Sequence, residues 1–346
     1  MRCHLTSVIY SFVLAILLFL IGIHLKKQFF SPAKLYAIIT VLEELSDITK
    51  YNISIETVQC YSLHYNYSYV LISPQTHLYL YFHCAAIPDS MFRRHCLVAA
   101  YMNKHSYLDY ALIIDADTLL INPTLKLEQF FPIQNESILM YDRIFNAEVA
   151  MGSMFIKNNE YALKFLLDFA HFFHLLPNSF YGNDNGAVHA FLILRYLARN
   201  SSRERDVCLN IWKHSRNWQD VKVFIACARH LINKLYNSTN SIDNGLLTIL
   251  PKTSTLRWIR DGWLTGEKWC GSEFLLHGYK ESDNTFSKTP LLSFNKPYCV
   301  SHSFATTWHY NTSLKTPCYV IQHQINNWIV QADNAFQVDI KKAHGS

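Results

Sequence analysis

Two aspartates, Asp115 and Asp117, close the apolar run YALII at Tyr110–Ile114 in the segment ALIIDADTLLINP. Carboxylates one residue apart in an extended turn present oxygens to a hard divalent cation, and such a cation also accepts diphosphate oxygens as ligands. The arrangement suits a reaction in which a sugar leaves a nucleotide. Negative charge then builds on the diphosphate, and a cation at that point stabilises the transition state more than the ground state. The spacing alone is not specific, since 15 Asp in 346 residues give roughly 0.65 chance occurrences of D-x-D. The apolar run before it and the Asn122-Pro123 turn after it supply the context; two turn-forming aspartates are the plain alternative.

The elements that must hold this turn are legible around it. Leu35–Leu42 reads as a buried strand, a short run of β-branched and aromatic residues, and Tyr69–Ile72 and Leu78–Phe82 read as two more. Met91–Lys104 reads as a helix, Ile138–Tyr141 and Ser153–Ile156 as strands, and Glu160–Leu175 and Asn185–Ala198 as helices. Strands alternating with helices predict an α/β sheet with parallel members, and in such sheets ligands bind at the carboxyl ends of strands, where Asp115 stands. The first two hundred residues form one α/β unit; beyond Ser201 the signals are mixed and fix no boundary.

Composition narrows the class. Half the residues are hydrophobic, 14% aromatic and 16% charged, which excludes a disordered or acidic solvating chain. Leu5–Leu25 carries no formally charged side chain and is long enough to span a bilayer, with large residues where a signal peptidase would need small ones. An uncleaved, single-pass signal anchor is expected, with a cytoplasmic tip and anchor over 1–27 and a short stem over 28–34. Removing Arg2, Lys26 and Lys27 from the net charge of +5 leaves +2 for the rest, so electrostatic nucleic-acid binding is not expected. Glycosylation patterns at Asn52, Asn66, Asn135, Asn200, Asn237 and Asn311, and eight cysteines after the anchor, lean towards an oxidising lumen. Golgi or endoplasmic reticulum is the expected location. Eight cysteines leave every pairing open, and none has zinc-ligand spacing.

The block DADTLLINP resembles the D-x-D region of GT-A type glycosyltransferases, in particular the yeast-type galactosyl and mannosyltransferases and an expanded nematode family of unknown function related to them. MFRRHCLVAAYM, HYNYSY, YDRIFNAEVAMGSMFIKN and LPNSFYGNDNGAVH are similar to further blocks of that nematode family, in order, over roughly Leu35–Lys280. The resemblance implies a GT-A, Rossmann-like α/β domain over 35–280, followed by an extension over 281–346 of unknown role, packed on it. It implies a metal-dependent transfer, retaining by analogy, of a hexose from a nucleotide sugar such as a UDP- or GDP-hexose to a glycan or glycoprotein acceptor. Asp115 and Asp117 fill the two D-x-D positions, and His277 in FLLHGYK fills the late histidine that completes coordination of Mn²⁺ or another divalent cation. Gly278 follows it, and Lys280, one residue off the related spacing, is placed to neutralise a departing phosphate.

By the same resemblance Asp184, between Asn183 and Asn185, is the candidate catalytic residue, the three binding sugar or acceptor hydroxyls, with a helix cap as the alternative. Arg93 and Arg94 either face the nucleotide or form a solvated helix face, and Asp142, Arg143 and Asn146 are candidates for an acceptor pocket. Two other readings compete. A haloacid dehalogenase-type phosphatase also uses D-x-D after an apolar strand, but Leu119 stands where that pattern has Thr or Val, and Asp184 has no carboxylate four or five residues on. A membrane-tethered relative that binds sugar without turning it over would keep the fold and lose the chemistry.

Overall fold

The run YAIITV forms β1 (Tyr36–Val41), whose four inner residues are buried, as expected of a strand covered on both faces. The chain continues through a 3₁₀ turn (Leu45–Tyr51), α1 (Asn52–Tyr65) and β2 (Ser68–Ile72), then α2 (Leu78–His83), α3 (Ser90–Lys104), β3 (Tyr110–Ile113) and β4 (Thr118–Leu120). Next come β5 (Ile138–Tyr141), β6 (Met154–Lys157), α4 (Glu160–His171), α5 (Asn183–Tyr196), α6 (Ser202–Lys213) and α7 (Trp218–Leu235). The remaining elements are β7 (Ser241–Ile242), β8 (Leu247–Leu250), β9 (Ile259–Asp261), β10 (Leu275–His277), β11 (Leu291–Phe294), β12 (Trp308–Tyr310) and α8 (Cys318–Ala343). This computed structural model describes residues 34–131, 135–197, 202–236, 241–280, 289–296, 299 and 304–345. The anchor expected over Leu5–Leu25 and the acceptor patterns at Asn200 and Asn237 lie outside the described residues. Among the described residues no helix is long and apolar enough to cross a membrane.

Seven strands form one mixed sheet in the order β2-β1-β3-β6-β5-β8-β7. β1 pairs in parallel with β2 and β3, and β5 with β8, while β6 runs antiparallel between β3 and β5. Successive residues of a strand face opposite sides, and here each side has its own core. Ala37, Ile39, Ala111 and Ile113 join one with helices α3, α4, α5 and α7. Ile38, Leu112 and Ile114 join the other, an aromatic core with α1, β4, β9 and β10. In that second layer β4, β10 and β9 make a small sheet, His277 opposite Thr118 on one side and Asp261 on the other.

Several helices start on side-chain caps that the sequence supplies. Asp89 accepts from the amides of Met91 and Phe92 at α3, Asn159 from Ala162 at α4, and Asn217 from Asp220 at α7. The strand expected over Leu78–Phe82 is instead the helix α2. A strand would turn Leu78, Leu80 and Phe82 to one face, but only Leu80 is buried; Leu78 and Phe82 are 55% and 72% exposed. So short an apolar run does not separate helix from strand by periodicity. The helix expected to reach Leu175 leaves α geometry at His171 and ends as a 3₁₀ turn.

The eight cysteines of the described residues form four disulfides, Cys60–Cys299, Cys84–Cys96, Cys208–Cys227 and Cys270–Cys318. Leu35–Ser346 is one compact unit, in which α8 lies along α7 and is tied through Cys318 to the loop between β9 and β10.

Candidate functional site

β9 ends in Asp261 and β3 is followed two residues on by Asp115, and the geometry of the site follows from that. Ile113 faces the helical side of the sheet and Ile114 the aromatic side, so Asp115 is next towards the helices. Arg94 of α3 meets it there, Nη1 lying 2.6 Å from Asp115 Oδ1. A turn closed by the Thr118 amide on the Asp115 carbonyl brings Asp117 round to the head of β4. Antiparallel pairing of β4 with β10 sets His277 beside it, with Nε2 3.3 Å from Asp117 Oδ1 and 3.7 Å from Asp115 Oδ2. The Asp117 carbonyl accepts from the amides of Gly278 and Tyr279, which locks the two segments together; Gly278 takes φ 105°, open to glycine.

Asp115, Asp117 and His277 each offer a ligand atom, and these atoms lie within 4.8 Å of one another. Two carboxylate oxygens and an imidazole nitrogen are a donor set suited to Mn²⁺. The set fits a cation on a second observation: Gly152, just before β6 and across from β3, leaves room for Asp115, because a Cβ there would overlap Asp115 Oδ2. His277 Nδ1 lies 2.9 Å from Asp261 Oδ1, so its other nitrogen is the one aimed at the carboxylates, the arrangement by which an outer carboxylate orients a metal-binding histidine. Asp261 is held in turn by Arg143 Nη2 at 2.6 Å, and Arg143 lies 3.6 Å from Glu148.

These side chains line a cleft of about 410 Å³, within the ~300–1,000 Å³ typical of small-molecule sites. Glu43, Tyr51, Tyr141, Ser153, Asn183, Asp184, Asn185 and Lys280 also line it. Charge is densely paired inside. Burial would lower the His277 imidazole, but Asp117, Asp115 and Asp261 outweigh it and raise the group to about 10. Burial would likewise raise Asp115, yet Arg94 and His277 hold it down to about 2. Asp261 is held at about 2 against its burial by His277 and Arg143. Asp117 differs: burial dominates and raises it.

The other residues singled out from the sequence fall in three places. Asn183 and Asn185 line the cleft with Asp184, but the Asn185 side chain accepts from the Met151 amide and serves the fold. Asp184 is almost wholly buried: one oxygen takes Arg94 Nη2, the other the Asn185 amide, and His95 Nε2 lies 3.7 Å away. It anchors Arg94, and through Arg94 it positions Asp115. Lys280 stands at the rim, 42% exposed, with Nζ 4.0 Å from Asp117 Oδ2. Arg93 turns aside to Glu43 at 2.6 Å. Asp142 and Asn146 do not line this cleft. Asp142 pairs with Arg229 at 2.9 Å in a separate hollow beside α7 and α8, and Asn146 accepts from the Glu148 amide next to α7. β5 ends before both, and the chain turns there into a bridge between Asp142 and Val149 that faces away.

Sequence reasoning missed Asp261, His95 and Gly152. The first had little signal: in WIRD the aspartate follows only Ile259 and Arg260 of a three-residue strand, unlike the apolar run ALII before Asp115. His95 and Gly152 had none, since their part depends on helix orientation and strand register.

The comparison with curated proteins finds no match. Among solved structures the chain is similar to a glycosyltransferase involved in the glycosylation of the major capsid of PBCV-1, at 15% identity and TM-score 0.36, over 46% of this chain and 78% of that one. Residues 58–293 match the profile of a family described as "Protein of unknown function, DUF273". That match spans more than half of the chain, and the protein belongs to this family.

Proposed function

We propose that the protein is a metal-dependent glycosyltransferase that moves a hexose from a nucleotide sugar to a glycan or glycoprotein acceptor, with a GT-A type fold and retention of anomeric configuration. The observation that carries the reading is the meeting of Asp115, Asp117 and His277 in one cleft at the carboxyl ends of β3 and β10. The family resemblance of the sequence blocks points the same way.

In this reading Asp115, Asp117 and His277 hold a Mn²⁺ ion. When bound, the ion supplies positive charge against the diphosphate of the donor. Arg94, fixed between Asp115 and Asp184, keeps the first ligand from rotating. Lys280, at the rim, adds a part-exposed positive charge where a diphosphate leaves. Asp261 orients the His277 ring through its Nδ1. Asp184, with both oxygens engaged inside the protein, is a positioning residue in this scheme. The four disulfides and the exposed acceptor patterns at Asn52, Asn66 and Asn135 support a luminal setting behind a signal anchor, in Golgi or endoplasmic reticulum.

The phosphatase reading is not favoured, because Asp115 would be its nucleophile and here it is tied to Arg94. The test is titration calorimetry of the full-length chain in detergent with UDP and GDP, with and without Mn²⁺, beside Asp117→Ala. Binding that requires the metal and is lost in the variant is the expected result and names the donor nucleotide. A folded wild type that binds neither nucleotide leaves the tethered non-enzyme as the better description.

A further inference from the structure

Beyond the cleft, a group of aromatic rings is packed together yet leaves one indole exposed at the surface. Trp263 follows the cleft residue Asp261 by two positions, in the 3₁₀ turn Gly262–Thr265, and is 43% exposed. Its neighbours hold it in place. The Phe145 ring lies 5.1 Å from it and the Trp328 ring of α8 5.3 Å, both edge to face, and Trp328 Nε1 donates to the Leu264 carbonyl at 2.8 Å. Ile144 and Leu264, next in the chain to Phe145 and Trp263, are buried together in a small third core under α8. The turn cannot drift, because Gly262 packs so closely that a Cβ there would overlap Tyr279 Oη and Glu267 Oε2. A large ring fixed at the surface by this much structure is a binding surface in waiting: an indole offers an apolar face and holds a partner at little cost in side-chain freedom.

The group is continuous with the site. The Arg143 guanidinium lies 4.6 Å from the Phe145 ring, lines the cleft, and holds Asp261. A path of side-chain contacts therefore runs from His277 through Asp261, Arg143 and Phe145 to Trp263. The chemistry along it alternates, an apolar ring face at Phe145 beside the guanidinium of Arg143. A pyranose ring presents the matching pair, a face of C–H groups and an edge of hydroxyls.

We propose that Trp263, supported by Phe145 and Trp328, is the platform on which a pyranosyl unit of the acceptor stacks, with its reacting end directed past Arg143 into the cleft. The inference rests on the transferase reading above and adds the acceptor's chemical class and its subsite. The test is binding of the full-length chain, with Mn²⁺ and nucleotide present, to an array of pyranosyl oligosaccharides, comparing wild type with Trp263→Ala, Trp263→Phe and Tyr319→Ala. Nucleotide titration of each protein is run alongside. Support is wild-type binding to at least one glycan that falls about tenfold or more in Trp263→Ala, is partly kept in Trp263→Phe, and is unchanged in Tyr319→Ala, an exposed aromatic on α8 away from the platform. Glycan binding undiminished in Trp263→Ala, or absent from a wild type that binds nucleotide, overturns the platform and leaves the transferase reading standing. Failure of the wild type to bind nucleotide overturns the transferase reading instead. If Trp263→Ala also loses nucleotide binding, Trp263→Phe decides: glycan affinity equal to wild type overturns the proposal, and a fall with nucleotide affinity intact supports it.

Discussion

His277 sits among three carboxylates, and its proton is part of how the metal-free site stays together. Raised to about 10 by Asp117, Asp115 and Asp261 against its burial, it compares with about 6.5 in an unfolded chain. The folded state thus binds this proton more tightly. The stability it contributes is complete below about pH 6.5 and is lost as pH rises through about 10. Asp115 and Asp261, held at about 2, act in the opposite sense: their contribution is present above about pH 4 and is lost as pH falls towards 2. We expect the melting temperature of the metal-free protein to fall from pH 6.5 to 10. On the proposed function Mn²⁺ displaces the His277 proton, so its affinity is expected to rise by about tenfold per pH unit over the same range. Calorimetry in two buffers of different ionisation heat reads the proton directly, and metal binding without proton release would remove His277 from the ligand set. Asp115 and Asp117 stood out from the apolar run that ends at Ile114, and His277 only through the family resemblance; the fold brings the three side chains together. The role of Asp184 was not legible: its companions suggested sugar hydroxyls, and only the side chain of Arg94, reaching across from another helix, reveals the carboxylate as its anchor.

At the scale of elements, strand register does the positioning. Ile113 of β3 lies opposite Met154 of β6, which brings Gly152 over Asp115. Gly152→Ala is expected to fold, since the residue lies just outside the strand, and to weaken Mn²⁺-dependent nucleotide binding by about tenfold or more as Asp115 is displaced. Titration beside the wild type measures it, and full affinity in a protein with unchanged circular dichroism would show that Asp115 has room elsewhere. The strands over 36–41, 110–113 and 138–141 could be read from the sequence because each is a largely buried apolar run, and 68–72 because it is rich in β-branched and aromatic residues, though only Val70 and Ile72 are buried. The short strands β4, β9 and β10 could not. Three residues carry no periodicity, and these strands exist because residues from Thr118 to His277 meet across the chain. The misread α2 belongs to the same class, a six-residue run whose structure is set by its packing on α3 and the Cys84–Cys96 bond.

At the scale of the whole molecule, two disulfides fasten late segments of the chain to earlier parts. Cys270–Cys318 ties α8 to the loop between β9 and β10, and Cys60–Cys299 joins α1 to a residue 239 positions later. Replacing Cys270 and Cys318 together by alanine should cost about 2–4 kcal/mol of stability, read as a shift in the denaturation midpoint. It should also loosen Trp328 from Leu264, seen as a change in tryptophan emission; an unaltered midpoint would mean that the contact of α7 with α8 holds the helix alone. Of the nine cysteines, the eight after Cys3 are even in number but carry no pairing in the sequence, because pairing is a property of distances that only the folded chain has. The β4–β10 pairing has a further consequence, in the order of synthesis. β4 leaves the ribosome more than 150 residues before β10, and Cys60 waits longer still for Cys299. For most of translation Asp115 and Asp117 therefore lack His277 beside them, and the native partner of Cys60 does not exist until residue 299 has been made.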